Sequence, residues 1–131
     1  MNRASCVVAV LTVFGAGRVA AQTPDCRNPM TQADMSGCAG LAAKQSDAAL
    51  NRNYVAVMAR LSPPGKAALR DAQRAWISFR DKQCFFESNG NDGGSIAPMI
   101  ASACAQALTD QRARALERFK TCADGDTSCP R

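Results

Sequence analysis

Residues 72–84 read AQRAWISFRDKQC, and they decide the fold. Gln73, Trp76, Arg80 and Cys84 recur at three- and four-residue spacing, so they share one face of a helix. Two of the four are polar and one is a cysteine, so that face packs through specific partners as well as apolar contact. On the N-terminal side Ser62-Pro63-Pro64-Gly65 supplies a start: a serine able to cap, then proline at the first helical position. On the other side Ser88-Asn89-Gly90-Asn91-Asp92-Gly93-Gly94 is a polar, glycine-rich stop. The helix therefore spans about residues 63–86, with the stripe Leu69, Ala72, Gln73, Trp76, Phe79 and Arg80.

Two further segments show the same period. Residues 31–61 carry Met35, Cys38, Leu41, Leu50, Tyr54, Val57, Met58 and Leu61, opened by Thr31 and Asp34 in the spacing of a capping box. Gly37 and Gly40 each weaken that beginning by about 1 kcal/mol, which predicts irregular first turns. The third helix is capped by Ser95 and runs to about Lys120, with the stripe Ile96, Ile100, Cys104, Leu108, Arg112, Leu116 and Phe119. No period-two run of β-branched residues occurs after residue 21, so the sequence predicts an all-α fold, a small three-helix antiparallel bundle stapled by disulfides.

Register tests the arrangement. In an antiparallel pair, residues at one level share an index total. Asp47 with Arg80, Asn51 with Trp76, Tyr54 with Gln73 and Met58 with Leu69 share 127; Arg80 with Leu108, Trp76 with Arg112 and Leu69 with Phe119 share 188. Cys84 with Cys104 also gives 188, which places both sulfurs at one level and predicts their bridge. Cys26 with Cys38 pins the N-terminal arm, and Cys122 with Cys129 follows by elimination. The alternative of Cys38 with Cys84 misses the first register by five residues, about 7.5 Å along the axis; it ranks lower and stays open.

The beginning of the chain has the layout of a secretory leader. A basic start is followed by an uncharged apolar run over residues 4–17, and Val19-Ala20-Ala21 offers a small-residue cleavage point before Gln22. The run is too short for a membrane span. Of seven cysteines only Cys6 falls inside the leader, and the even remainder reads as an exported disulfide framework. Cys6 lies within the apolar run and Cys26 follows Thr23-Pro24-Asp25, so neither is placed for a lipid anchor. The expected protein is residues 22–131, periplasmic or secreted, with core 31–120, a short polar tail and no membrane anchor. Loss of Arg3 and Arg18 takes the net charge from +5 to +3, a balance that suits solubility and gives no ground for a nucleic-acid partner.

Function classes narrow by what the chain lacks. With no histidine, Ser-His and Cys-His nucleophile systems and the commonest metal ligand are excluded. Oxidised cysteines leave no thiolate for catalysis or zinc, and no phosphate-binding glycine motif follows a strand, so no catalytic residue, metal site or cofactor is expected. Of the carboxylates, Asp47 lies level with Arg80 and reads as an ion pair, while Asp81 and Glu87 read as solvated. Trp76 and Tyr54 read as core, the Tyr54 hydroxyl bonded to Gln73. Arg80 and Arg112 cover the core with their stems while their heads meet Asp47, Asn51 or helix-end carbonyls. The candidate contact for a partner is the exposed loop, through Asn89, Asn91, Asp92 and Ser95, because a loop tethered at both ends loses less entropy on binding.

The combination Q-x-x-W-x-x-x-R-D-x-x-C in residues 73–84 resembles the lysozyme-inhibitor LprI family. Asp47, Leu50-Asn51 and Tyr54 are similar to its first-helix signature; GGSIAPM, Cys104, Leu108-Thr109 and Arg112 are similar to its third. The resemblance spans residues 38–116. It implies an extracytoplasmic, helical, cysteine-containing protein in which Asp47, Asn51, Tyr54, Gln73, Trp76, Arg80, Asp81 and Arg112 are structural. It further implies a non-catalytic lysozyme inhibitor, whose partner is lysozyme or another cell-wall lytic enzyme. A +3 chain gains no long-range attraction to a basic lysozyme, so inhibition requires local complementarity, for instance the loop entering a sugar-binding cleft. The alternative is an envelope structural or interaction module with a non-lysozyme ligand.

Overall fold

A computed structural model describes residues 23–123 and 125–131. The leader expected over residues 1–21 lies outside the described residues. Three helices account for the fold: α1 Gln32–Arg60, α2 Pro63–Asn89 and α3 Ala97–Glu117. No strand occurs among the described residues.

The starts follow the local chemistry. Thr31 and Asp34 form a reciprocal capping box on α1, each side chain bonded to the other residue's backbone N–H (3.1 and 3.2 Å). Ser62 accepts from the Gly65 amide at α2, with Pro63 next in the chain. The start of α1 is regular despite its glycines. At Gly37 a side chain would meet the Pro24 ring, 2.9 Å away, so the missing Cβ lets the N-terminal arm lie on the helix. Two expectations about α3 need correcting. Its N-cap is Ile96, with no side-chain bond, and not Ser95. Its regular part stops at Glu117, three residues short of Lys120.

Helices α1 and α2 run antiparallel, as do α2 and α3, which leaves α1 and α3 parallel. Gln32 lies beside Met99 at one end, and at the other Arg60 donates to the Cys122 carbonyl at 2.7 Å. The closest pair is α1 with α3; α2 meets α3 less, and the α1 and α2 backbones hardly approach. The short link at Ser62 thus joins two helices that diverge. The reason lies in side-chain size. Ser46, Thr109 and Ala113 are buried between α1 and α3, and residues this small let two backbones come close. Between α1 and α2 stand Trp76, Tyr54 and Arg80, which hold the helices apart.

The core lies along the α1–α3 seam and its far end: Leu50, Val57, Leu61, Ala113 and Leu116, flanked by Tyr54, Met58, Leu69, Trp76 and Phe119. Phe79, placed on the inner stripe by its spacing, is 54% exposed. It sits at the margin of the face defined by Gln73, Trp76, Arg80 and Cys84, which looks toward the rest of the molecule.

Three disulfides hold the ends: Cys26–Cys38, Cys84–Cys104 and Cys122–Cys129. The first fixes the arm to α1 and the second joins α2 to α3. The third closes the tail, where the Ser128 hydroxyl and amide donate to Asp126 and hold its carboxyl below the usual range. The Arg131 backbone passes so close to Gly65 that a Cβ there would collide with it.

Candidate functional site

The polar centre is built around Arg80. From α2 its guanidinium donates to Asp47 on α1 (2.9 Å) and to the Thr109 hydroxyl on α3 (3.2 Å), so one side chain ties three helices. Its Nε and Nη2 also face Asp81 at 3.0 Å. Asp81 is therefore paired, although it stays exposed as expected. The Arg80 side chain is 17% exposed and its guanidinium lies 5.3 Å from the Trp76 ring centre. Arg112 approaches the same ring at 6.0 Å, so two cations lie over the one indole.

Arg112 donates to the Gln73 side-chain carbonyl at 3.0 Å. This corrects the expected Tyr54–Gln73 bond: a charged donor makes the stronger hydrogen bond to that oxygen. Among the described residues no carboxylate pairs with Arg112, and burial lowers its guanidinium from the usual value. Asn51, Tyr54 and Gln73 line a shallow groove of about 310 Å³ between α1 and α2. A larger apolar groove of about 560 Å³ lies where Val57, Leu69, Leu116 and Phe119 meet the tail.

Spacing alone passed over two buried groups. Thr109 is 1% exposed and completes the Arg80 site. Asn53 donates to the Ala113 carbonyl (2.9 Å) and accepts from Lys120 (3.1 Å). Neither belongs to an apolar stripe, and a single polar residue in mid-helix gives no signal of its direction. A partial cue for Thr109 was its place beside Leu108 in the third-helix signature.

These contacts predict an asymmetry. Arg80→Ala strands the Thr109 hydroxyl and removes the cation from Trp76, for a loss of about 2 kcal/mol. Asp47→Ala costs under about 1 kcal/mol, because the Asp47 side chain is 49% exposed and water replaces much of the pair. Urea unfolding of both variants checks the order; equal losses would show that the ion pair, not the three-helix junction, carries the effect.

The loop candidates lie at the opposite end from the tail. Asn89 is the last residue of α2, while Asn91, Asp92 and Ser95 are exposed in the connection to α3. Successive turns close it: Asn91 N–H to Ser88 carbonyl (3.0 Å), Asp92 N–H to Asn89 carbonyl (3.1 Å) and Gly94 N–H to Asn91 carbonyl (2.9 Å). Gly93 has φ +75°, a conformation that favours glycine. Among the described residues no cluster of acidic or sulfur side chains could hold a metal, and no helix is long and apolar enough to cross a membrane.

Fold and polar centre together define a small all-helical scaffold, stapled by disulfides and tied across its three helices by Arg80. More particularly, the chain belongs to the family of the lysozyme inhibitor LprI, whose model matches residues 25–116. An uncharacterised protein of Rhizobium meliloti (strain 1021) is 35% identical over 114 residues, which cover 77% of this chain and 82% of that one. No solved structure matches.

Proposed function

We propose that this chain is an exported, non-catalytic binding protein that inhibits a lysozyme or a related cell-wall lytic enzyme. The family match over residues 25–116 carries the reading. Three disulfides in a chain this small suit an oxidising compartment outside the cytoplasm. The contact lies at the loop: Asn89, Asn91, Asp92 and Ser95 offer amide, carboxylate and hydroxyl groups on a turn already held in shape, so little entropy is lost when an enzyme cleft closes on it.

The test is lysis of bacterial cell walls by several lysozyme classes with purified protein added. The expected result is slower lysis by at least one class, saturating near one inhibitor per enzyme. No effect at micromolar excess on any class removes the reading. A pull-down from periplasmic extract that retains a different partner through moderate salt would replace it with an envelope interaction module.

A further inference from the structure

The net charge of the chain conceals a strong separation along the bundle. No lysine or arginine occurs between Lys82 and Arg112, a span that contains Glu87, Asp92 and Asp110. The structure folds most of this span into one end of the molecule, formed by the last turns of α2, the connection 90–96 and the start of α3. The start of α1, which reaches this end beside Met99, is balanced, with Asp25 and Asp34 against Arg27 and Lys44. The other end is net basic: Arg60, Lys66, Arg70, Arg114, Arg118 and Arg131 outnumber Asp71, Glu117 and Asp126 there.

The acidic end is also aromatic. Phe85 and Phe86 are 66% and 74% exposed, among the most exposed large apolar side chains of the described residues. They occupy the final turn of α2, beside Glu87 and Asn89. Nothing about this turn is loose. Cys84 is bonded to Cys104, and the Ser88 hydroxyl donates back to the Cys84 carbonyl at 2.9 Å. The inward face of the turn is thus fixed by Cys84 and Ser88, and both phenylalanines are directed to solvent by the register those residues impose. Exposed aromatics on a rigid support are the makings of a protein contact, and around these two the carboxylates Glu87 and Asp92 outnumber the one nearby cation, Lys82, a turn earlier on α2.

We infer that this acidic, aromatic end, with Phe85, Phe86, Glu87 and Asp92 as its anchors, is the surface on which a basic lytic enzyme docks. The inference rests on the inhibitor reading above and goes further, by adding the end of α2 to the loop and by naming charge as the source of attraction. It removes the difficulty of a net-positive inhibitor for a basic enzyme. The enzyme meets a local field of opposite sign, and the basic end points away from it.

Binding to a basic chicken-type lysozyme is measured at low and moderate salt in parallel with lysis, using the whole exported chain with its disulfides intact. Glu87→Lys/Asp92→Lys is expected to slow association about tenfold at low salt, and Phe85→Ser/Phe86→Ser to weaken Kd about tenfold or more. Arg114→Glu/Arg118→Glu, at the far end, leaves Kd unchanged or improves it. All six side chains are exposed, so the variants keep the parent melting temperature. Parent-like binding by both of the first two variants overturns the docking surface while leaving inhibition intact. Binding through these residues without slower lysis keeps the surface and removes the inhibitor reading. A parent protein that neither binds nor inhibits removes both.

Discussion

Replacing Cys84 and Cys104 together by alanine lowers the stability of the fold by about 3 kcal/mol, close to 15 °C in melting temperature for a domain of this size. The bridge closes a 20-residue separation, so its loss frees a large set of unfolded conformations. Its position makes the loss global. The α1 and α3 backbones pack directly, but α2 is held to them by Leu69 and Trp76 against the core, by Arg80, by the Arg112–Gln73 bond and by this disulfide. Both cysteines are buried, at 5% and 8% exposure, so truncation adds a packing loss to the entropic one. The double variant isolates this bridge, where a reductant would open all three. Hydrogen exchange should show α2 opening first, from its C-terminal half. A melting temperature within a degree or two of the parent would mean that α2 is secured by contacts other than these.

How much of this was legible in the sequence depends on which helices are compared. The pairing of α2 with α3 was readable because its marks are unusual side chains. Cys84 with Cys104 and Trp76 with Arg112 sit at matching levels, and two polar or sulfur residues at one level are hard to explain otherwise. Asp47 with Arg80 was readable for the same reason. The tightest seam was not. Leu50, Val57 and Leu116 of that seam stood on the apolar stripes, but the close approach of α1 to α3 also depends on Ser46, Asn53, Thr109 and Ala113, residues that a search for large apolar side chains passes over. Phe79 misleads in the opposite direction. Its spacing puts it on the inner stripe of α2, yet the face fixed by Trp76, Arg80 and Cys84 turns it outward. Of the candidate site, the polar loop was evident from its glycines. Its aromatic neighbours Phe85 and Phe86 were not, because exposure is a property of the packed molecule.

Leu116→Ala tests where the core lies, and its expected cost is about 3 kcal/mol. Leu116 is 2% exposed and stands where α3 meets Val57 and Leu61 of the first helix and its end. The buried apolar set is short, so there is little nearby bulk to collapse into the space. A domain of this size commonly has 5–15 kcal/mol in all, roughly, so the variant should unfold at markedly lower urea. Phe86→Ala removes a larger side chain and should change stability by less than about 0.5 kcal/mol, because Phe86 is 74% exposed. The contrast is the informative part. If Phe86→Ala proved as costly as Leu116→Ala, the aromatic end would already be covered, by a second copy of the chain. Its melting temperature would then rise with protein concentration. If the cost stays small at every concentration, the end of α2 is free in the isolated protein, as a docking surface must be.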